Sequence, residues 1–386
     1  MKILNIVSSN VVQDPRVLKQ IETIRSMTDT YLIIGKNNER ATNERLNNVN
    51  FNLKLLGKNI DDTKMISKII NRVKFAFNVS KEIRKYQPDI IHANDFDVLF
   101  MVFLSRYRKA KVIYDAHEIY SKNSNINRIK VLSKLVQSIE KQIIKKVDGF
   151  VTVSYAAKNY YKNMGYAKEP EVITNAPILM NTDLETNKHD LFEVVYQGQI
   201  VADRGYDEFI HAAQIEKDTQ FVIRGFGPLE QHLKEIKEKE QISNCVFDSA
   251  VEINELIPKL TESHVGVVLT KPVSVNYEYT VSNKIFECIH AGLPVILSPV
   301  REHVYLNNKY HFGIVIDEVT PENVAKAVRM LKSDRILYQK LRNNAVKASQ
   351  ELNWQKESEK LKELYTSKQW LLTKLFQLKR TLNKFM

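Results

Sequence analysis

Cysteine is nearly absent. The 386 residues carry two, Cys245 and Cys288. Two cysteines cannot build a disulfide framework, and without a CxxC or a Cys/His cluster they match no zinc spacing, so they fit a reducing cytoplasm and no metal is expected. No run of about 18 apolar residues occurs, so no membrane-spanning helix is expected. The opening "MKILNIVSSN" turns polar too soon for a signal peptide. Glycine is also scarce, at 11 residues with no GxGxxG among them, which speaks against NAD and leaves no cofactor to expect. Acidic residues are the minority charge: 45 against 57 basic, a formal net charge of +12. Such a chain is drawn to nucleic acid, anionic lipid or a phosphorylated substrate. It has no zinc-finger spacing, RRM motif or basic heptad, so nucleic acid is not expected. A cytosolic protein that is merely basic is the plain alternative.

What the sequence does have is alternation. Short β-branched runs take turns with longer helical patterns: "KILNIVSS", "DPRVLKQIETIRSM", "TYLIIG", "PDIIHAND", "FDVLFMVFLSRYRK", "AKVIYDAHE", "KLVQSIEKQIIKKV", "GFVTVS", "AAKNYYKNMG". Strands alternating with helices predict an α/β fold with a parallel, doubly wound sheet. The pattern lapses in the polar "PILMNTDLETNKHD" and restarts with "FEVVYQG", "DEFIHAAQI", "TQFVIRGFG", "LEQHLKEIKEKEQI", "VGVVLT", "FGIVID" and "TPENVAKAVRMLKSD". The reading is two Rossmann-like domains, 1–178 and 191–355, with a linker over 179–190 and a C-terminal helical segment over 356–386. Ligands of such folds bind beyond the carboxyl ends of the strands, so a cleft between the two domains is the expected site.

Seven of the 11 glycines fall after the linker, and Gly198, Gly225 and Gly227 directly follow predicted strands. Glycine there allows positive φ and close backbone approach to a ligand, or simply turns the chain. In "YQGQIVADRG", Arg204 stands in a strand-to-helix loop, a place suited to a diphosphate; a solvated arginine reads the same way. In "SNKIFECIHAGLPVI", Ser282 or Asn283 caps a helix and leaves its first amides free for an anion. Glu287, one turn on, can accept two hydrogen bonds from vicinal ribose hydroxyls, or can face solvent. "VIYDAHEIY" gathers Asp115, His117 and Glu118 at a strand end, and "IIHANDFD" adds His92, Asn94, Asp95 and Asp97. His117 can meet a sugar hydroxyl or a phosphate, or be an ordinary turn histidine. The alternating Asp and His have neither zinc nor EF-hand spacing. In "VVQDPR", Asp14 and Arg16 open the first helix, where either can touch an acceptor and Asp14 can equally be only a cap.

In this order the segments "DPRVLKQIETI", "IIHANDFD", "VIYDAHEIY", "DGFVTVS", "VITNAP", "VVYQGQIVADRGYDEFIHAA", "FVIRGFGP" and "SNKIFECIHAGLPVILS" resemble the retaining glycosyltransferases of family 4, which have the GT-B fold. The resemblance covers nearly the whole chain. It implies an acceptor-binding first domain, with Asp14, Arg16, Asp95 and Glu118 on the acceptor side, and a nucleotide-sugar-binding second domain. Arg204 matches the second member of the family's diphosphate-binding basic pair, and the first falls at Gln199. Glu287 matches the second glutamate of its E-x7-E motif, which implies ribose binding. The first falls at Tyr279, with Glu278 beside it, and Thr280, Val281 and Ser282 would lie near the sugar and phosphates. Together with Gly198, Gly225 and Asn283 these make the implied donor site. His117 matches the family histidine near the reaction centre, so His117, Arg204 and Glu287 carry the implied catalysis. The implied reaction is metal-independent and retaining: a glycosyl group leaves a nucleotide diphosphate sugar, UDP-sugar favoured, by same-face attack. The departing phosphate takes the acceptor's proton. Two other readings stand beside it: a nucleotide-sugar epimerase of the same fold, and an inactive homologue that only binds sugar nucleotide, motivated by Gln199 and Tyr279.

The tail "TSKQWLLTKLFQLKRTLNKFM" places Leu371, Leu375, Leu378, Leu382 and Phe385 on one helical stripe among basic residues, and "KMISKIINRVKFAF" has similar character. Basic amphipathic helices suit an anionic membrane surface, unless the tail packs on the first domain instead. Membrane binding would imply a cytoplasmic protein peripheral to the inner face of the cell membrane, and a lipid-linked saccharide acceptor in bacterial surface polysaccharide or glycolipid assembly.

Overall fold

A computed structural model describes residues 1–37, 49–57, 65–180, 184, 188 and 190–366. The chain forms two compact units. The first takes Met1–Val153, Ala157–Asn175 and the chain from Glu357; the second takes Ser154–Ala156 and Ala176–Lys356. The passage at Asn175–Ala176 comes a few residues before the stretch expected as a linker.

In the first unit seven strands form one sheet: β1 Ile3–Ile6, β2 Tyr31–Lys36, β3 Leu53–Leu56, β4 Ile90–Asn94, β5 Lys111–Ala116, β6 Gly149–Thr152 and β7 Glu171–Val172. Their order is β3-β2-β1-β4-β5-β6-β7, and every pairing is parallel. Strands β1, β4 and β5 are buried along their whole length. Helices cover both faces of such a sheet, which is why these strands read as apolar runs and not as alternations. Strand order reverses between β1 and β4, so the crevice outside their carboxyl ends is where this topology places a ligand.

The second unit repeats the plan with six parallel strands: β8 Glu193–Gln199, β9 Gln220–Phe226, β10 Cys245–Asp248, β11 Val265–Val268, β12 Val295–Leu297 and β13 Gly313–Val315. The order is β10-β9-β8-β11-β12-β13, and the reversal falls between β8 and β11. Successive residues of a strand point to opposite faces. Val194 and Tyr196 accordingly join the core with Phe209 and Val328, while Val195 joins the one with Phe286 and Ile289. Burying a side chain such as Phe286 stabilises by roughly 1.5–3 kcal/mol.

Of the C-terminal helix Trp354–Thr366, the part from Glu357 belongs to the first unit. There the Glu357 carboxylate accepts bonds from the Thr174 N–H and Oγ1, both at 3.2 Å. Tyr365, fully buried, meets His92 Nδ1 at 2.9 Å. The basic stripe from Leu371 to Phe385 lies outside the described residues. Elsewhere in this unit the helices Met65–Tyr86 and Lys130–Ile144 expose apolar side chains: Val73 and Phe77 on one, Val131 and Leu135 on the other. Among the described residues no helix is long and apolar enough to cross a membrane.

Candidate active site

At the end of β4 the chain turns sharply into the helix Asp95–Leu104. Asp95 takes a left-handed φ of 65°, which aspartate tolerates better than most residues. The turn lets Asp95 Oδ1 accept the His117 backbone N–H at 3.0 Å, and Asp95 Oδ2 stands 3.7 Å from His117 Nδ1. Nε2 of the same ring is 3.1 Å from Asn94 Oδ1 and 3.7 Å from Asp115. Burial alone would lower the His117 pKa, but Asp95 and then Asp115 outweigh it and raise it to about 9. Burial raises Asp95 to about 7 against the pull of His117. At neutral pH His117 is therefore an imidazolium clamped by carboxylates. Its Nδ1, too far from Asp95 for a hydrogen bond, still has a proton to give.

Arg16 is placed differently from expectation. Its guanidinium turns inward and grips Asp115 with two bonds, Nε to Oδ2 at 3.0 Å and Nη2 to Oδ1 at 2.8 Å, while Nη1 donates to the Ile173 carbonyl at 2.8 Å. Only 3% of its surface is exposed, so it cannot meet an acceptor; it is a buried strut across the sheet. Gln20 also bonds Asp115, at 2.7 Å. Burial would raise the Asp115 carboxyl, but Arg16 first and His117 next hold it well below the usual range. Asp14 is the cap of the helix Pro15–Arg25, accepting from the N–H groups of Arg16 and Val17 at 3.1 and 3.2 Å. Glu118, lifted by burial, accepts from Asn123 at 2.6 Å.

In the second unit, β8 ends at Gly198 and Gln199, and Arg204 follows in the loop before the helix Tyr206–Ile215. Arg204 Nη1 donates to Thr270 Oγ1 at 2.9 Å, just past the end of β11, and its guanidinium stacks 4.2 Å from the Tyr277 ring centre. Thr270 is held in turn, its N–H bonding Ser298 Oγ at 2.9 Å, and Ser298 meets His303 Nδ1 at 3.1 Å. Burial, with a small contribution from Arg204, drops His303 to about 3, so it supports this chain as a neutral ring. The helix Asn283–His290 starts nearby. Ser282 stands at its cap but makes no side-chain cap bond, which leaves the first amides without that partner. Partly buried Glu287 lies one turn on.

Lys284 lies in the first turn of the same helix. Its ammonium stands 4.7 Å from the Tyr196 ring centre and 5.5 Å from that of Tyr206, and bonds Tyr206 Oη at 3.3 Å. Burial first, and Arg204 second, lower its pKa to about 8. Among the described residues neither Arg204 nor Lys284 forms an ion pair with a carboxylate.

A family model described as Glycosyltransferase Family 4 matches residues 60–176, and one described as Glycosyl transferases group 1 matches residues 183–348. The chain belongs to glycosyltransferase family 4 and has the GT-B fold. A sucrose-phosphate synthase from Thermosynechococcus elongatus superposes with a TM-score of 0.74 at 16% identity, over 95% of this chain and 98% of that one. HepE of Anabaena, in complex with UDP and glucose, superposes with a TM-score of 0.71 at 14% identity, over 95% of this chain and 100% of that one. In sequence, an uncharacterised 42.6 kDa protein in the cps region of Klebsiella pneumoniae is 22% identical over 242 residues, 58% of this chain and 62% of that relative. The match thus spans about three fifths of the relative's length.

For this glycosyltransferase the donor residues expected from sequence divide into two sets. Arg204 stands by the end of β11, and the helix start with Ser282 and Asn283 reaches the end of β8 through Lys284, with Glu287 one turn on. Gly225 has another reason to be glycine: a Cβ there would overlap the Gly198 carbonyl oxygen on the paired strand. The Lys284 side chain lies over Gly198, where a Cβ would meet its Cε. Val281 packs against the apolar core. Thr280 Oγ1 bonds back to the Asn276 carbonyl. Tyr279 lies with its ring 5.0 Å from the Arg301 guanidinium, and Glu278 pairs with Arg301 at 2.8 Å. Lys284, Thr270 and Tyr277 were not singled out from sequence. A lysine in the first helical turn, where the helix dipole disfavours a cation, was the one available signal.

Proposed function

We propose that this glycosyltransferase moves a sugar with retention from a nucleotide diphosphate sugar, a UDP-sugar being favoured, to a lipid-linked saccharide acceptor. One observation carries the donor half. Arg204, without a carboxylate partner, stands at the switch point of the second sheet beside a helix start whose cap side chain makes no bond. Unpaired positive charge next to free amides suits a diphosphate. Glu287, one turn further in, is at the right depth for ribose hydroxyls when the phosphates lie at the helix start. HepE, solved with UDP and glucose, supports a uridine donor.

In this reading the bond between the anomeric carbon and the diphosphate oxygen breaks, and its electron pair stays on that oxygen. Arg204 and the helix amides stabilise the developing charge, a preorganised electrostatic contribution. The acceptor hydroxyl attacks on the same face and gives its proton to the departing phosphate. His117, charged at neutral pH and with an Nδ1 proton to give, is assigned to a sugar oxygen. The protein's own cations do the neutralising, so no metal is assigned, and excess EDTA should leave turnover unchanged.

For the acceptor half, exposed Val131 and Leu135 alternate with Lys130 and Lys134 on one helix, and exposed Val73 and Phe77 lie on another. Apolar residues interleaved with lysines suit an anionic membrane surface. That supports a cytoplasmic enzyme peripheral to the inner face of the membrane, working in surface polysaccharide or glycolipid assembly.

A thermal-shift screen across UDP-, GDP- and ADP-sugars tests the donor. A UDP-sugar should raise the melting temperature of the wild type. Glu287→Ala should weaken binding by on the order of ten- to a hundredfold, the loss of a charged acceptor's hydrogen bonds. If no nucleotide sugar bound at millimolar concentration, the assignment would fall.

A further inference from the structure

We propose that Lys284 is the second cation of the diphosphate site, supplying from the helix Asn283–His290 the charge that Gln199 does not supply from the end of β8. The proposal rests on the reading of the β8/β11 crevice as the donor site and assigns it a further substrate-contacting group.

Four observations converge on this side chain. First, Lys284 lies in the opening turn of its helix, where the peptide dipoles repel a cation and attract an anion. Glu287, three residues on, offsets part of that repulsion. Second, the strand end beside Gln199 is shaped around it. Gly198 has a left-handed φ of 123°, and any Cβ at that position would overlap Lys284 Cε. Lys284 thus brings a charge to the strand end where Gln199 carries none.

Third, the ammonium is held but not satisfied. Two tyrosine rings, Tyr196 and Tyr206, cradle it, and the Tyr206 hydroxyl at 3.3 Å is its hydrogen-bond partner. An ammonium has three protons to donate. Fourth, it faces a like charge. The groups acting on it are Arg204, which disfavours its charged form, and Glu287 and Cys288, which favour it. Cys288 is itself pushed far above the usual thiol range by burial, so it carries no charge at neutral pH. Two cations converging without a carboxylate ion pair are unfavourable until an anion arrives, and a diphosphate brings charge enough for both. As the anomeric C–O bond breaks and its electron pair stays on the phosphate oxygen, Lys284 donates to that diphosphate and Arg204 acts beside it.

The test is isothermal titration of the full chain with inorganic pyrophosphate and with UDP, paired with melting temperatures of the ligand-free proteins. Lys284→Met and Lys284→Gln should bind both probes on the order of ten- to a hundredfold more weakly, the loss expected for one charge-assisted hydrogen bond. Their ligand-free melting temperatures should equal or exceed the wild type's, because an enclosed ammonium without a counter-ion has been removed. Gln199→Arg added to Lys284→Met should recover affinity by returning the charge to the strand. Wild-type affinity in Lys284→Met would overturn the inference while leaving the donor site in place. Lowered melting temperatures in both single variants, with no recovery from Gln199→Arg, would make Lys284 structural and also overturn it. A wild type that bound neither probe at millimolar concentration would remove the donor site and this inference together.

Discussion

The two switch points, β1/β4 and β8/β11, are built on one topology yet treat charge in opposite ways. In the first unit the central charges of the crevice answer one another. Asp115 takes Arg16, Gln20 and His117, and His117 stands between Asp95 and Asp115. In the second unit Arg204 and Lys284 rest on hydroxyls and aromatic rings and have no carboxylate ion pair among the described residues. A paired buried cluster can be complete without a ligand. An unpaired one is a standing cost that a bound anion relieves. The balance of charge therefore separates scaffold from binding site better than the presence of charge does.

Asp115→Asn should break this contrast most severely. It leaves the Arg16 guanidinium buried without its counter-charge, which costs about 3–5 kcal/mol; urea denaturation followed in the first unit measures it. Arg204→Met should do the reverse. Removing an unpaired cation should leave urea stability within about 0.5 kcal/mol of wild type while lowering kcat by on the order of 10²–10³, as for other groups that stabilise developing anions. Steady-state kinetics with the donor found by the thermal-shift screen reads that loss.

A smaller effect lies in pH. The His117 pKa is raised from 6.5 to about 9 by its carboxylates. Its contribution to stability is fully present below pH 6.5 and fades as pH rises through 9. Stability measured over that window should fall by at most about 1.4 kcal/mol per pH unit from this group, and His117→Gln should flatten the slope. Smallest in the folded protein are Val131→Ser and Leu135→Ser. Both positions are exposed, so stability should change by less than about 0.5 kcal/mol while flotation with anionic liposomes weakens. Unchanged flotation would detach the membrane from this face.

The alternation of strands and helices was legible because each βα unit repeats a local period, and parallel strands buried on both faces leave apolar runs such as "DIIHA" and "KVIYDA". Strands β3 and β10 were not picked out. Each is four residues long at the sheet's edge and incompletely buried, so neither leaves a strong run. The places of Arg204 in a strand-to-helix loop and of Ser282, Asn283 and Glu287 at a helix start were legible because strand ends and a helix cap show locally. Arg16 could not be placed: nothing near it in sequence says that Asp115 waits on another strand. Lys284 was invisible for the same reason. Its surroundings, Tyr196 and Tyr206, come from a distant strand and helix, and without them a lysine between Asn283 and Ile285 reads as solvated. The packing reason for Gly225 was equally hidden, because the carbonyl that excludes its Cβ belongs to a strand whose register the sequence does not display.

The return of the chain to its first unit bears on how the protein is made. Tyr365 closes over His92 inside the first sheet, and Glu357 holds Thr174 just past β7. A ribosome finishes residues 1–175 and then must synthesise the whole second unit before it supplies those groups. At ~5–20 residues per second that interval is on the order of ten to forty seconds. Through it the first unit waits with the His92 and Thr174 positions uncovered. The second unit, contiguous from Ala176 to Lys356 apart from three residues already made, can complete its own sheet first. The half of the enzyme that is translated earlier is thus the half that is finished later.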